Sequence, residues 1–313
     1  MSQQFKLHDG RVIDFHIDGD TNGYPFIWLH GTPGSRLAVP PSLDELCKTK
    51  GLKIIALSRP GYGDSSRHEG RVVVDTVADV TALNEHLGIK DCVVGGWSGG
   101  GPHVLACAAR LKGVKAALCV AGCAPYGKDD LDSGGPRSRQ CVLRCQCMRR
   151  IGSNSHPDID EFNATLAGAP ALRKLLDSQR PGLLAADAAG LVQEMASILP
   201  EVDKKALLSD ATLGQGVVEG IHEGLKHSTD GWFDDDMELM KPWGFEVEEV
   251  NVPTAVWQGS EDQMVPFAHG EWIVKHLPAQ WCKAHLLQGE GHISVFIEHV
   301  GTMVEELLEG VKR

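Results

Sequence analysis

Short apolar runs that alternate with helical patterns constrain this chain more than any other feature. Pro25 to Leu29, Leu52 to Leu57, Cys92 to Gly95 and Val114 to Val120 are nearly unbroken apolar stretches. They are too short for buried helices and read as strands covered on both faces. Between them, Pro41 to Lys50, Val74 to Leu87 and Gly100 to Leu111 carry apolar residues at three- and four-residue steps, and Gly88 closes the second. Ahead of them, Phe5-Lys6-Leu7 and Val12 to Ile17 flank Asp9-Gly10, a hairpin signal. A hairpin followed by βαβα alternation implies an α/β fold with a mostly parallel central sheet and helices on both faces.

From about Pro125 to about Glu249 the pattern is helical throughout, with pieces expected at Phe162 to Leu176, Leu183 to Leu199, Lys204 to Leu213 and Val217 to His227. Strand signals return at Pro253 to Gln258 and Ala284 to Leu287, each followed by a helix. The expected organisation is a core built from residues 1–124 and 250–313, with a helical cap, 125–249, inserted after the sixth core strand. Such a cap sits at the carboxyl edge of the sheet, where open α/β folds bind ligands.

The formal net charge of -12 argues against a nucleic-acid or anionic-membrane partner, because either needs a basic surface. A small-molecule substrate, neutral or weakly polar, fits better. Met1 to Leu7 has neither the charged nor the apolar region of a secretory signal, and no apolar run approaches the roughly 20 residues that span a bilayer, so a cytoplasmic location is expected. Of nine cysteines, Cys92, Cys107, Cys119 and Cys123 sit in apolar stretches and read as buried free thiols. Cys141, Cys145 and Cys147 lack the paired knuckles of a zinc site, and only His156 is near, so no metal and no cofactor is expected.

Gly96-Trp97-Ser98-Gly99-Gly100 follows an apolar strand and opens a helical pattern. That context suits a serine held on a strained strand-to-helix turn, where larger neighbours would block the backbone. With 36 glycines in 313 residues the pentapeptide has a chance expectation of roughly 0.2, so its context carries the inference. A serine nucleophile needs a histidine to take its proton and a carboxylate to orient the histidine. Asp262, just past Pro253 to Gln258, is the candidate acid, and His292, just past Ala284 to Leu287, the candidate base. Glu261 and, after the sixth strand, Asp129 or Asp130 are the alternative acids, whereas His276, His285 and His299 lie within expected helix or strand and are poorly aimed. The turn His30-Gly31-Thr32-Pro33-Gly34-Ser35 follows another strand, and the backbone N–H groups of Thr32 and Gly99 are the candidate oxyanion donors. Trp232, Phe233 and Trp243, with Phe245, either line an apolar pocket or pack the cap onto the core. Asp234-Asp235-Asp236 reads as a first helical turn, and Trp97 as a core residue behind the elbow.

Taken together, the elbow at Ser98, His30-Gly31-Thr32-Pro33-Gly34, Ser58-Arg59-Pro60-Gly61-Tyr62-Gly63-Asp64-Ser65, Gly259-Ser260-Glu261-Asp262 with Val265-Pro266, and Gly291-His292 resemble the α/β-hydrolase superfamily. Many of its members carry aspartate where Ser58 stands, a difference in a structural turn. The resemblance implies an α/β-hydrolase fold and an ester or lactone hydrolase that acts on a small apolar molecule through an acyl-enzyme. It sets no oligomeric state. Haloalkane dehalogenases and epoxide hydrolases place aspartate at the elbow, and prolyl aminopeptidases tend to show H-G-G-P-G where this chain has Thr32. Capped esterases, lactonases and cofactor-free haloperoxidase-like enzymes share these residues. C–C bond hydrolases or lyases, and a receptor-like ligand-binding protein, are the alternatives.

Overall fold

In the computed structural model the described residues are 3–127, 131, 157–196, 199–209 and 211–312. The hairpin forms where Asp9-Gly10 placed it: β1 (Gln3–Lys6) pairs antiparallel with β2 (Val12–Gly19), with Gly10 at φ 90 in the turn. β3 (Tyr24–Leu29), β4 (Leu52–Leu57), β5 (Cys92–Trp97) and β6 (Val114–Val120) follow, separated by α1 (Pro41–Lys50), α2 (Thr76–Leu87) and α3 (Gly101–Arg110). β7 (Thr254–Gly259) and β8 (Cys282–Leu287) complete one sheet of order β1-β2-β4-β3-β5-β6-β7-β8, parallel from β4 onward.

The unbroken apolar runs have the expected cause. Successive residues of a strand point to opposite faces. Ile27, Leu29, Ile55 and Val94 pack into one buried layer, and Phe26, Trp28, Ile54 and Val93 into the other. With both faces covered, a polar residue has no solvent-facing position in the central strands. Because β3, β5, β7 and β8 run parallel, the loops that follow them gather at one edge of the sheet.

Between β6 and β7 every described element is helical: α4 (Pro157–Leu166), α5 (Ala169–Ala185), α6 (Ala188–Ala196), α7 (Glu201–Ser209), α8 (Ala211–Leu225) and α9 (Asp230–Leu239), apart from the short 3-10 turn Val247–Glu249. Their boundaries differ from the periodicity reading. The expected helix Phe162 to Leu176 divides at Gly168, whose φ of 100 ends α4 before Pro170 helps to start α5. The expected break between Leu213 and Val217 is absent, and α8 runs straight through its glycines. Gly220 and Gly224 mark close approach instead. A Cβ on Gly220 would stand 2.8 Å from that of Ala38, and one on Gly224 would overlap the carbonyl oxygen of Gly34. The missing side chains let α8 press onto the loop after β3. The chain returns to the core through α10 (Phe267–His276), α11 (Ser294–Ile297) and α12 (Val300–Val311).

No described helix is long and apolar enough to cross a membrane. Cys47, Cys92, Cys107 and Cys119 are buried free thiols, but Cys123 is only half-buried. Cys141, Cys145, Cys147 and His156, and the alternative acids Asp129 and Asp130, lie outside the described residues.

The inserted helices hold a layer of their own, in which Leu172, Leu176, Ile221, Leu225 and Trp232 pack around Tyr62. Trp232 Nε1–H donates to Glu161 at 2.7 Å. Burial and the neighbouring Glu161 carboxylate push the Asp236 carboxyl well above the usual carboxylate range. Asp236 therefore keeps a proton in the folded chain that it releases on unfolding, and this loses stability as pH rises above the ordinary carboxyl range. Asp236→Asn needs no proton and should melt at higher temperature than wild type at pH 8, with a gap that narrows toward pH 5. Equal melting temperatures at pH 8 would count against a buried protonated carboxyl.

Candidate active site

Ser98 stands at φ 56, one of two non-glycine residues with positive φ among the described residues. Such a conformation costs on the order of 1–3 kcal/mol and persists only where the surroundings enforce it. Here the turn is wedged against β3. A Cβ at Gly96 would lie 2.7 Å from the Leu29 carbonyl oxygen, and one at Gly100 would overlap the same atom. The glycines at those two positions thus follow from the tightness of the strand-to-helix junction.

The loop after β3 meets the elbow. A Cβ on Gly31 would come within 3.4 Å of Ser98 Cβ, and one on Gly99 within 3.2 Å of the Thr32 amide nitrogen, so the backbone at Gly31 and Thr32 closes onto that at Ser98 and Gly99. Beneath them His30 is buried, its Nε2 accepting the Arg59 N–H at 3.0 Å, which leaves the Nδ1 proton for the Gly31 carbonyl at 2.7 Å. Burial and the Arg59 charge hold His30 far below its usual range, so it stays neutral in this role.

His292 Nδ1 is 2.8 Å from Asp262 Oδ2, with both side chains buried. The same oxygen accepts from Gln258 Nε2 at 2.8 Å, and Oδ1 accepts the N–H groups of Met264 at 2.9 Å and Val265 at 2.8 Å. Asp262 is therefore fixed before it meets the imidazole, while Glu261 is exposed. Trp97 packs against the core, as expected, but its ring also faces the site. It stacks on Phe296, lies 5.7 Å from the His292 ring, donates Nε1–H to the His292 carbonyl at 3.1 Å and reaches the cavity. His276, His285 and His299 are engaged elsewhere, with Trp272, Trp257 and Glu290. A nearby histidine absent from the sequence reading, His269, accepts the Ala124 N–H at 2.9 Å, and burial pushes it down to about 4.

Thr32, Ser98 and His292 share one cavity of about 130 Å³. Its inserted wall comes from Leu191, Leu207, Leu213, Val217 and Ile221, and no charged side chain appears among its described lining residues. Trp232, Phe233 and Trp243 are not brought to it. Trp232 packs within the insertion, Phe233 lies under Arg173 at 4.1 Å, and Trp243 stacks on Phe245 in the core, so these large rings fill interfaces rather than shape the site.

The sequence reading missed the polar hub behind the loop after β3. Asp234-Asp235-Asp236 falls in the second turn of α9, and Asp235 is buried. It accepts from Thr32 Oγ1 at 2.6 Å, from Tyr62 Oη at 2.8 Å and from the guanidinium groups of Arg59 and Arg71. Burial would raise its carboxyl, but the two arginines override this and hold it well below the usual range. Arg71 also pairs with Glu238, and His103 Nε2 lies 3.2 Å from the same carboxylate. His103, Asp235 and Glu238 come close enough to share a cation, but the two guanidinium groups already supply the positive charge. The aspartate triplet was visible in sequence; its partners, more than 160 residues away, were not. Asp235→Ala leaves two buried guanidinium groups short of an anion and should cost about 3–5 kcal/mol in urea unfolding. A loss below 1 kcal/mol would show that the hub is not load-sharing.

This strand order, with a serine turn after β5, an acid after β7 and a histidine after β8, is that of the α/β-hydrolase fold. The family described as alpha/beta hydrolase fold matches residues 24–134 of this chain. Among curated relatives, a proline iminopeptidase of Arabidopsis thaliana is 32% identical over 108 residues, 34% of this chain and 28% of that enzyme's length. A non-heme haloperoxidase of Rhodococcus erythropolis is 26% identical over 263 residues, 83% of this chain and 82% of its own. Among solved structures, an esterase of Thermogutta terrifontis superposes with TM-score 0.65 at 17% identity over 100% of both chains. An enol-lactonase of Burkholderia xenovorans LB400 superposes with TM-score 0.63 at 12% identity, over 99% of this chain and 100% of its own.

Proposed function

We propose that this protein hydrolyses an ester or lactone of a small, uncharged, apolar molecule through an acyl-enzyme. The observation that carries the reading is the shared cavity: Ser98 and His292 open onto about 130 Å³ of space without a charged group among its described lining. In this reading Ser98 Oγ attacks the carbonyl carbon while His292 Nε2 takes its proton, and Asp262 holds the Nδ1 proton and stabilises the imidazolium. The Thr32 and Gly99 amides bind the oxyanion, each donor contributing roughly 3–4 kcal/mol to the transition state. His292 then protonates the departing alkoxide, and water, deprotonated by the same histidine, releases the acid and restores Ser98.

Residues 125–249 act as the cap, and its apolar wall selects the acyl group. A C–C bond hydrolase acting on an anionic substrate needs a cationic group at the wall, and the described lining supplies none. The haloperoxidase, esterase and lactonase likenesses support this class of reaction.

A fluorophosphonate probe should label wild type and not Ser98→Ala. Asp262→Asn should lower kcat by roughly 10³–10⁴-fold. Across p-nitrophenyl esters of increasing chain length, kcat/KM should rise to a maximum and then fall, and esters with a carboxylate on the acyl chain should be poor substrates. Folded wild-type protein whose Ser98 resists the probe would sink the hydrolase reading.

A further inference from the structure

We propose that Asp203, on inserted helix α7, is a positioning residue for the base of the reaction. The proposal rests on the reading of His292 as that base. Asp203 is fully buried, and its carboxylate is spent entirely on the backbone around His292. Oδ2 accepts the His292 N–H at 2.8 Å, and Oδ1 accepts the N–H groups of Ile293 at 2.9 Å and Ser294 at 2.8 Å. These amides enter the four-residue helix α11, whose opening N–H groups have no partner within the helix. Three donors on one carboxylate fix the backbone from which the imidazole projects.

The neighbouring glycine supplies independent support. A Cβ at Gly291 would overlap the Asp203 carboxylate on both oxygens, so glycine there leaves the space that Asp203 occupies. Gly291 is not among the positive-φ glycines, so its backbone is one that alanine adopts and the carboxylate is what excludes a side chain. The Gly291 N–H is tied locally to Ser294 Oγ at 2.8 Å.

The ring of His292 is set from two directions. Asp262 holds Nδ1, and Trp97 binds its carbonyl. Trp97 holds the carbonyl side of the residue, and Asp203, from the insertion, holds its N–H side; one turn along the same helix Leu207 packs with Ile293 and lines the cavity. A displacement of the imidazole by about 1 Å costs on the order of 100-fold in rate. Substrate contacts with the apolar wall survive such a displacement, so kcat falls and KM does not.

The test uses the full chain with Asp203→Asn, Asp203→Ala, Gly291→Ala and the Asp203→Ala/Gly291→Ala pair. Hydrolysis of p-nitrophenyl butyrate and the fluorophosphonate labelling rate are measured on each. Asn retains one oxygen acceptor. It should lose about 10-fold in kcat and Ala about 100-fold, with KM within about twofold of wild type. Gly291→Ala, which pushes the carboxylate aside, should also lower kcat. The double variant should be no slower than Asp203→Ala, because the added methyl then occupies vacated space. A folded Asp203→Ala with kcat within twofold of wild type overturns the proposal, as do additive losses in the double variant. Hydrogen exchange supplies a readout that needs no turnover: the amides of His292, Ile293 and Ser294 should be protected in wild type and at least tenfold less so in Asp203→Asn. Rapid exchange of all three in wild type overturns the proposal even if no variant folds. Wild-type protein that neither labels nor turns over, with these amides protected, refutes the hydrolase reading alone.

Discussion

The candidate site depends on a carboxylate that belongs to the insertion but is buried in the core. Asp235 comes from α9, yet its partners are Thr32 on the loop after β3, Tyr62 and Arg59 in the turn after β4, and Arg71. Arg59 in turn donates to the carbonyls of His30 and Gly31, so the loop that carries the Thr32 amide is held from below by an arginine whose charge is balanced from above. A guanidinium buried without an anion would cost several kcal/mol. The loop and α9 hold each other in position, and the candidate oxyanion donor Thr32 is set by a contact between insertion and core.

The elbow adds a second constraint of a different kind. Ser98 at φ 56 holds strain that local sequence cannot relieve, and it persists because β5 and α3 leave the turn no other path. The Leu29 carbonyl blocks any side chain at Gly96 or Gly100, and Leu29 belongs to β3, paired with β5 from Phe26↔Val93 to Leu29↔Gly96. The strand register that fixes Ser98 therefore also fixes the start of the loop carrying Thr32.

These two constraints explain what could be read from the sequence. The central strands β3 to β6 were legible because they are covered on both faces and so are nearly continuous apolar runs, and Ser98, Asp262 and His292 were legible because each follows a strand signal, although β8, ahead of His292, is a half-exposed edge strand. Helices of the insertion were harder. Periodicity placed a break between Leu213 and Val217, but the glycines Gly216, Gly220 and Gly224 of α8 serve contact with the chain after β3, a pressure that periodicity cannot register. Trp232, Phe233 and Trp243 illustrate the same limit, since a large aromatic side chain looks alike in sequence whether it lines a cavity or seals an interface. Asp235 and Asp203 were illegible for a further reason. A buried carboxylate shows itself only through its donors, and those of Asp203 are backbone amides, which carry no residue signature.

The insertion reaches the site on both sides of Ser98. Asp235 governs the loop of Thr32, Asp203 meets the amides at His292, and between them Leu207, Leu213, Val217 and Ile221 form the cavity wall. Withdrawal of α7 and α9 would strip the buried Arg59 and Arg71 of their shared carboxylate and the amides of residues 292–294 of their acceptor, at a cost of several kcal/mol wherever the group left behind stays buried. Much of that cost falls on the geometry of the reaction rather than on access to it. Pocket shape and candidate catalytic geometry are therefore linked through one helix, α7. A substitution at Leu207 that widens the cavity acts on the helix that anchors the His292 backbone, so acyl preference and turnover change together.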